Sequence, residues 1–563
     1  MLRRTCIAIA SLFLVGCGSS SSSPRDAGGV DGSSSGSGGI RVTFDGGGLT
    51  GGGGATGTGG AGTGNTAGAM ATGTLVFQGA SPVLLPSGLP CTFEEGATGD
   101  RWCAFLTDSV STPGNTDLFA VNVTKAGAGV SISCGLADAN CLKLTSSYFE
   151  DQFHVALFQG DTLVYFDLTG TPFGWRPGMT AGRMLAVADP TTKNVVECIP
   201  DIKGTGITCQ RDLPDAMQTD PQVFLTDVLA GRIDDAANPP LVRLETAILS
   251  SSGDMNVNHF QVGFPVPGGN TVAWSARAVK GGPEVLKAQT LGDDASRVTV
   301  ASNVNSWRAS PDGARWYWRS MVSESTRAGA LQSAPFPSGT GPTMLAANTL
   351  AFDFPTPTSL VVVDTAKQLL GFADLAGAPT ASQTLDTAVI GMVTLSAQGH
   401  VAYAKTVVAA GQTRFIDLFV KKPDGTGACV VTAATDAYLS AIGFTSGATG
   451  VAWIQDTPTA FPARFTRLSD CTKMDVATDV VWTEPVGDRG VMYLDSVSNA
   501  NGTVAMWFRP LATGGAVSGD PATLVSGGVG TYKVVPRTGL DTLVYTVNAG
   551  GNEDGVYVKS FAP

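Results

Sequence analysis

The sequence predicts an all-β protein, a multi-bladed β-propeller standing beyond a disordered N-terminal tether. Three observations carry this. Apolar alternation with a period of two recurs in short runs bounded by Gly, Pro, Asp and Asn, as strands between turns require, while long runs of helical periodicity are scarce. From Thr271 onward these runs start roughly 40 to 50 residues apart, an interval that suits one four-stranded propeller blade. The chain is 43% hydrophobic and only 15% charged, so the part beyond the tether can bury a large core.

The N-terminus reads as an export address. Arg3 and Arg4 form a short basic start, residues 6–15 an apolar run too short to span a bilayer, which takes about 20 residues, and Gly16 is a small residue at the cleavage side. Leu14-Val15-Gly16-Cys17 resembles the lipobox of bacterial lipoproteins. The resemblance implies that residues 1–16 are removed, that the Cys17 thiol takes a diacylglyceryl group and that the new N-terminus is acylated. More than one chain is needed because a single acyl chain anchors only reversibly. Gly18, standing where some lipoproteins carry Asp, resembles the default route to the outer membrane.

Residues 17–73 then form the tether. They are dominated by Gly, Ser, Thr and Ala, with one island at Ile40-Arg41-Val42-Thr43-Phe44. Such a composition cannot offset a backbone ordering cost of about 1 to 2 kcal/mol per residue. A flexible chain of this length reaches on the order of 40 Å. Gly32-Ser33-Ser34-Ser35-Gly36 matches the nucleophile-elbow pattern in form, but it lacks the strand before and the helix after that the elbow requires.

The third segment, 74–563, carries the strands: 101–106, 162–168, 184–188, 271–275, 315–319, 360–363, 401–405, 451–455, 503–508 and 542–547. Several share a frame in which a turn with Gly leads into a strand ending in Trp or Tyr. Ser310-Pro311-Asp312-Gly313 precedes Trp316-Tyr317-Trp318, Ser396-Ala397-Gln398-Gly399 precedes Val401-Ala402-Tyr403, and Asn499-Ala500-Asn501-Gly502 precedes Met506-Trp507. Pro presets φ near −65°, Asp bonds its own backbone and Gly accepts positive φ, so these are hairpin turns within blades. Ser310-Pro311-Asp312-Gly313 with its aromatic strand resembles the repeat of TolB-like β-propellers, also described as WD40-like repeats, over residues 260–563. The resemblance implies architecture rather than activity.

About seven blade-sized units fit between residue 260 and the end, and the stretch 85–260 adds one to three more. The expectation is a single ring of about eight blades, with two adjoining propellers as the alternative. The last unit ends before a fourth strand fits, while Thr74-Leu75-Val76-Phe77 stands alone after the tether. The two are expected to pair, which closes the ring and removes an exposed edge.

Ten cysteines become eight once Cys6 leaves with the signal and Cys17 takes lipid. An even number in an oxidising compartment suits disulfides. Cys91 with Cys103, Cys134 with Cys141, and Cys198 with Cys209 each flank a turn-like segment. Cys429 and Cys471, about one repeat apart, would bridge neighbouring blades at equivalent loops.

Charge and motif content narrow the function classes. A net charge of −12, two units more negative after Arg3 and Arg4 leave, with no Lys/Arg cluster beyond residue 17, disfavours nucleic acid. No Walker loop, metalloprotease helix, EF-hand loop or cofactor motif occurs, and no metal site is expected. His154 lies in a strand-like run, His259 precedes one and His400 follows a turn Gly. Glu94-Glu95, Asp234-Asp235 and Asp293-Asp294 read as solvated loops. Asp312, Asp364, Asp424 and Asp495 read as turn acids that could meet at a propeller axis only through the fold. Trp274, Trp316, Trp453 and Trp507 are expected between blades.

The leading expectation is therefore a lipid-anchored, non-enzymatic scaffold of the outer membrane that binds a protein or envelope polysaccharide at one end of the ring. An extracellular carbohydrate-active enzyme and a structural envelope component are the alternatives. No catalytic residue, metal or cofactor is assigned.

Overall fold

The computed structural model describes residues 71–561, apart from interruptions chiefly at 86–89, 93–98, 135–137, 150–155, 187–194, 213–222, 252–261, 278–281, 321–325, 376–381, 408–414, 433–436, 496–503 and 536–540. Cys17, nearly all of the tether, His154, His259, Glu94, Glu95 and the turn at 499–502 lie outside the described residues.

The strands fall into eight antiparallel sheets, almost all joined in sequence order. Six sheets hold one four-stranded unit each. The eight-stranded sheet holds two, linked by the single pair Ile248 and Arg277, and the seven-stranded sheet holds two that share the long strand Thr343–Thr356. The described chain thus forms ten units. Their second strands are Trp102–Asp108, Thr162–Asp167, Gly206–Asp212, Thr271–Arg277, Arg315–Ser320, Ser359–Asp364, Val401–Val407, Gly450–Gln455, Gly490–Asp495 and Asp541–Val547. The multi-bladed propeller is as the sequence predicted. Seven units follow residue 260, also as expected, and the earlier stretch contributes three, so the number is ten where about eight was expected.

Period-two alternation explains why the units stack in a ring. The second strand sits inside its sheet with both faces covered, and successive side chains point to opposite neighbours. In the fifth unit Trp316 and Trp318 enter a core with Ala273 and Leu286 of the fourth, while the intervening Tyr317 packs with Leu360 and Val362 of the sixth. In the sixth, Val361 and Val363 turn the other way and meet Val401 and Tyr403 of the seventh. Such cores continue round the molecule. Trp453 of the eighth unit meets Leu418 and Val420 of the seventh, and Val544 of the tenth meets Phe105 and Phe119 of the first. Trp274 is likewise fully buried between the third and fourth units, and Trp507 packs against the core of the last three. Because each unit shares a core with the next and the tenth with the first, this is one ring. First strands of neighbouring units touch, as in the seventh with the eighth and the tenth with the first, which makes them the innermost.

The ring closes with the N-terminal strand. Thr74–Gln78 pairs antiparallel with Gly555–Phe561, Thr74 opposite Val558 and Gln78 opposite Gly555, and supplies the fourth strand of the last unit. Val76 is buried, and Phe77 lies 5.1 Å from Phe105 and 5.5 Å from Phe119, ring centre to ring centre. Just before this strand Ala71 bridges to Val525, so the chain joins the ring beside the ninth unit.

All four expected disulfides are present. Cys198–Cys209 joins directly opposed residues of the first and second strands of unit three, and Cys91, in an isolated bridge, opposes and bonds Cys103 of the second strand of unit one, with Cα atoms 4.1 and 4.0 Å apart. Cys134–Cys141 closes the connection to the fourth strand of the first unit. Cys429–Cys471 links the seventh unit to the eighth at corresponding positions after their third strands.

Candidate functional site

An antiparallel four-stranded unit places the turn after its first strand and the turn after its third at the same end. That end of the ring is the upper face. Ser310-Pro311-Asp312-Gly313 is such a turn. Gly313 takes φ 69° and its N–H donates to Ser310 O at 2.8 Å. Ser310 Oγ and the Ala314 N–H both donate to Asp312 Oδ1, at 2.5 and 3.0 Å, and these bonds, the Ser310 hydroxyl first, hold the Asp312 carboxyl below its usual range. The turn at Ser396 repeats the plan: the Gly399 N–H donates to Ser396 O at 3.0 Å, and the His400 N–H to Ser396 Oγ at 2.9 Å. Burial, then the charge of Lys422, depresses the His400 pKa.

The four candidate acids are not brought together. Asp312 and Asp424 lie in upper turns of the fifth and seventh units, and Asp364 and Asp495 end second strands at the opposite face of the sixth and ninth. Asp424 accepts from Thr426 N and Oγ1, and Asp364 from Gln368 N, as turn acids do. Asp234, Asp235, Asp293 and Asp294 are exposed. Among the described residues no three His, Cys, Asp or Glu side chains gather as metal ligands. The strand expected at 503–508 begins at Met506 and is the third of its unit.

What the fold does assemble is a cleft of about 630 Å³ on the upper face, across units eight, nine and ten. Its wall is the turn after the first strand of unit nine, Val486-Gly487-Asp488-Arg489-Gly490. Gly487 takes φ 51°, and a Cβ there would run into the Asp541 carboxylate of unit ten. Asp488 reaches back to unit eight, accepting from Gly447 N at 2.8 Å and Thr449 Oγ1 at 3.0 Å. The floor is apolar: Phe508 and Phe561 lie 4.5 Å apart between ring centres, with Pro510 and Leu511 alongside. Gly490 is needed here, since a Cβ would overlap Phe508 Cζ. The turn Ala512–Gly515 closes one side and Ser560 another.

Arg489 Nε is buried and makes no hydrogen bond, and among the described residues the Arg489 guanidinium pairs with no carboxylate. Ser560 borders the cleft, but its hydroxyl lies on the opposite face of its strand from Phe561, against Gly127 of the first unit. Asp488 is already engaged by the turn of unit eight. The sequence reading did not single out these residues. The signal was the Gly487-Asp488-Arg489-Gly490 turn itself, and its partners lie some 40 to 70 residues away in sequence.

A second polar set lies on innermost strands near the upper face. Arg308 of unit five pairs with Asp353 of unit six at 2.6 Å. Glu484 of unit nine is pushed up by burial and drawn back by Lys533 of unit ten, whose own pKa burial lowers. Glu197 of unit three accepts from Gln210 Nε2 at 3.1 Å, while its Oε1 is buried without a partner. Burial raises its pKa to about 7. The folded state therefore holds this proton to higher pH than the unfolded chain, so stability present below about pH 4.5 is lost as pH rises through 7. Glu197→Gln is expected to match the wild type at pH 4 and to exceed it by on the order of 2 to 3 kcal/mol at pH 8, read from urea midpoints at the two pH values.

No family model and no curated protein matches the chain. Among solved structures it is similar to the tricorn protease, at 10% identity and a TM-score of 0.30 over 82% of this chain and 56% of that one. It is similar to a eukaryotic initiation factor at 10% identity and a TM-score of 0.42, over 75% and 96% of the two chains. A third is the β-propeller domain of the Trilobed protease from Pyrococcus furiosus, at 9% identity and a TM-score of 0.29, over 57% and 95%. The chain spans little more than half the length of the tricorn protease. Likeness at this level concerns the fold, which rests on the sheet order above. Several of the matched proteins are peptidases, among them a puromycin-hydrolyzing peptidase from Mycobacterium tuberculosis and an acylaminoacyl peptidase from Pyrococcus horikoshii. This corrects the expectation of a non-enzymatic scaffold, which rested on a scarcity of catalytic motifs: propellers occur within enzymes, and motif scarcity in such a fold does not exclude catalysis.

Proposed function

We propose that this chain is a lipid-anchored protein of the cell envelope whose propeller engages a polypeptide in the cleft of units eight to ten. The cleft carries the reading. It sets the Arg489 guanidinium beside an apolar floor, the combination that small binding sites use to fix a polar end while burying an apolar one. The address at Arg3, Arg4 and Leu14-Val15-Gly16-Cys17 supports acylation at Cys17 and delivery to the outer membrane. Four disulfides suit an oxidising compartment outside the cytoplasm. The Ser310-Pro311-Asp312-Gly313 turn, formed as described, supports a place among TolB-like propellers.

The mature protein should be offered a panel of short peptides and of envelope polysaccharide fragments, with bound ligand and released product read together. Peptides are expected to be retained or cleaved, and the product channel separates the two. Retention of polysaccharide with no peptide bound or cleaved would overturn the reading.

A further inference from the structure

We propose that the cleft of units eight to ten is filled by the chain's own segment Ile40-Arg41-Val42-Thr43-Phe44-Asp45, which an external polypeptide must displace. The inference rests on the reading of the cleft as a polypeptide site and names its resident occupant.

The cleft presents apolar surface to water. Phe508 and Pro510 are half-buried on its floor, beside the buried Leu511 and Phe561. At about 630 Å³ it takes a few side chains of an extended segment rather than a folded surface. The chain joins the ring next to it. Ala71 opposes Val525, and Val525 opposes Met506, two residues before Phe508. Two strand spacings across and two residues along put Ala71 on the order of 12 Å from Phe508. Ala71 also packs against the core that holds Leu511 and Phe561.

Residues 40–45 lie outside the described residues, and their sequence supplies the match. Nowhere else in residues 18–70 do three large apolar side chains stand so close together. Ile40, Val42 and Phe44 alternate with Arg41 and Thr43, so an extended backbone turns the three to one side. Asp45 adds a carboxylate beside Phe44, and the Arg489 guanidinium at the cleft wall pairs with none among the described residues. That attraction is between whole charges at the rim and does not require the buried Nε. Residues 45–70, 26 in number, separate Phe44 from Ala71. A glycine-rich chain of that length has a root-mean-square span of about 25 to 30 Å, which covers the distance to the cleft. The segment is then present at the cleft at an effective concentration on the order of millimolar or above. An affinity of about 0.1 mM, weak for a separate peptide, is enough to keep the cleft about nine-tenths occupied.

The test compares the full mature protein with a variant carrying Ile40→Ser, Val42→Ser and Phe44→Ser together, all three of which precede the first strand of the ring at Thr74. A fluorescent peptide of residues 38–47 is titrated into each and followed by anisotropy, and the panel of short peptides is titrated beside it. The residue 38–47 peptide is expected to bind the triple variant at submillimolar concentration and the native chain about tenfold more weakly, with the panel peptides weakened in the native chain by the same factor. Asp45→Asn in the peptide and Arg489→Gln in the triple variant are each expected to weaken binding about threefold, and together no further, which ties the segment to this cleft. Equal binding of the peptide to native and variant chains would overturn the inference, as would losses from the two substitutions that simply add. A native-chain deficit that vanishes on dilution to nanomolar protein would give the cleft to a second copy's segment and overturn occupancy within one chain. Panel peptides that bind both chains alike while the residue 38–47 peptide binds neither would overturn the inference and leave the polypeptide site standing. Failure of every peptide to bind the triple variant at millimolar concentration overturns the inference and the polypeptide-site reading together.

Discussion

A chain lacking residues 1–79 is expected to lose cooperative folding and to aggregate. Thr74–Gln78 is the outer strand of the tenth unit, although it is separated from its partner Gly555–Phe561 by nearly the whole sequence. Without it Gly555–Phe561 becomes an open edge with unpaired N–H and C=O groups, a template for pairing between molecules. The core between the tenth and first units also loses Val76 and Phe77, which pack with Phe105, Phe119 and Val558. A gentler test keeps the strand. Val76→Asp buries an unpaired charge and is expected to cost about 3 to 5 kcal/mol, while the exposed Leu75→Asp should fall within about 1 kcal/mol. Size-exclusion profiles of the deletion and urea midpoints of the two substitutions provide the readouts. A monodisperse deletion variant with an unchanged midpoint would mean that closure adds nothing.

Trp316→Ala is expected to cost about 3 to 5 kcal/mol. The indole is fully buried between units four and five, its Nε1 donates to Pro337 O at 3.0 Å, and its ring meets Trp307 edge-on at 5.7 Å and Phe336 at 4.8 Å. Truncation leaves a void that neighbours on two separate sheets cannot collapse into, because each is held by its own strand ladder. Phe461→Ala, at a partly exposed ring, should change stability by less than about 1 kcal/mol. A Trp316→Ala midpoint within error of Phe461→Ala would show that the units do not depend on interlocking cores.

What the sequence made legible follows from burial. The readable strands are mostly second strands, such as those at Trp316, Val361, Tyr403 and Trp453, which are covered on both faces and so keep an apolar, aromatic-rich composition. First and fourth strands are short or partly exposed: Val83–Leu84, Val262–Gly263 and Cys429–Val430 are two residues each and leave little pattern. The shortfall in units arose before residue 260, where Val223–Arg232 and Val242–Ser251 are ten residues long and break the spacing. The closing strand and the disulfides were legible because each needed a partner and few partners remained. The cleft was not. Arg489, Phe508 and Ser560 come from separate strands and turns, and only the ring brings them together.

The proposed anchor at Cys17 is tested most directly by intact mass and fractionation of the native protein beside Cys17→Ser, expressed in the same bacterium. The native protein is expected to pellet with the envelope, begin at Cys17 and carry acyl mass, while Cys17→Ser stays soluble with the same propeller. Native protein that is soluble and unacylated would contradict the anchor and make the chain a freely secreted propeller.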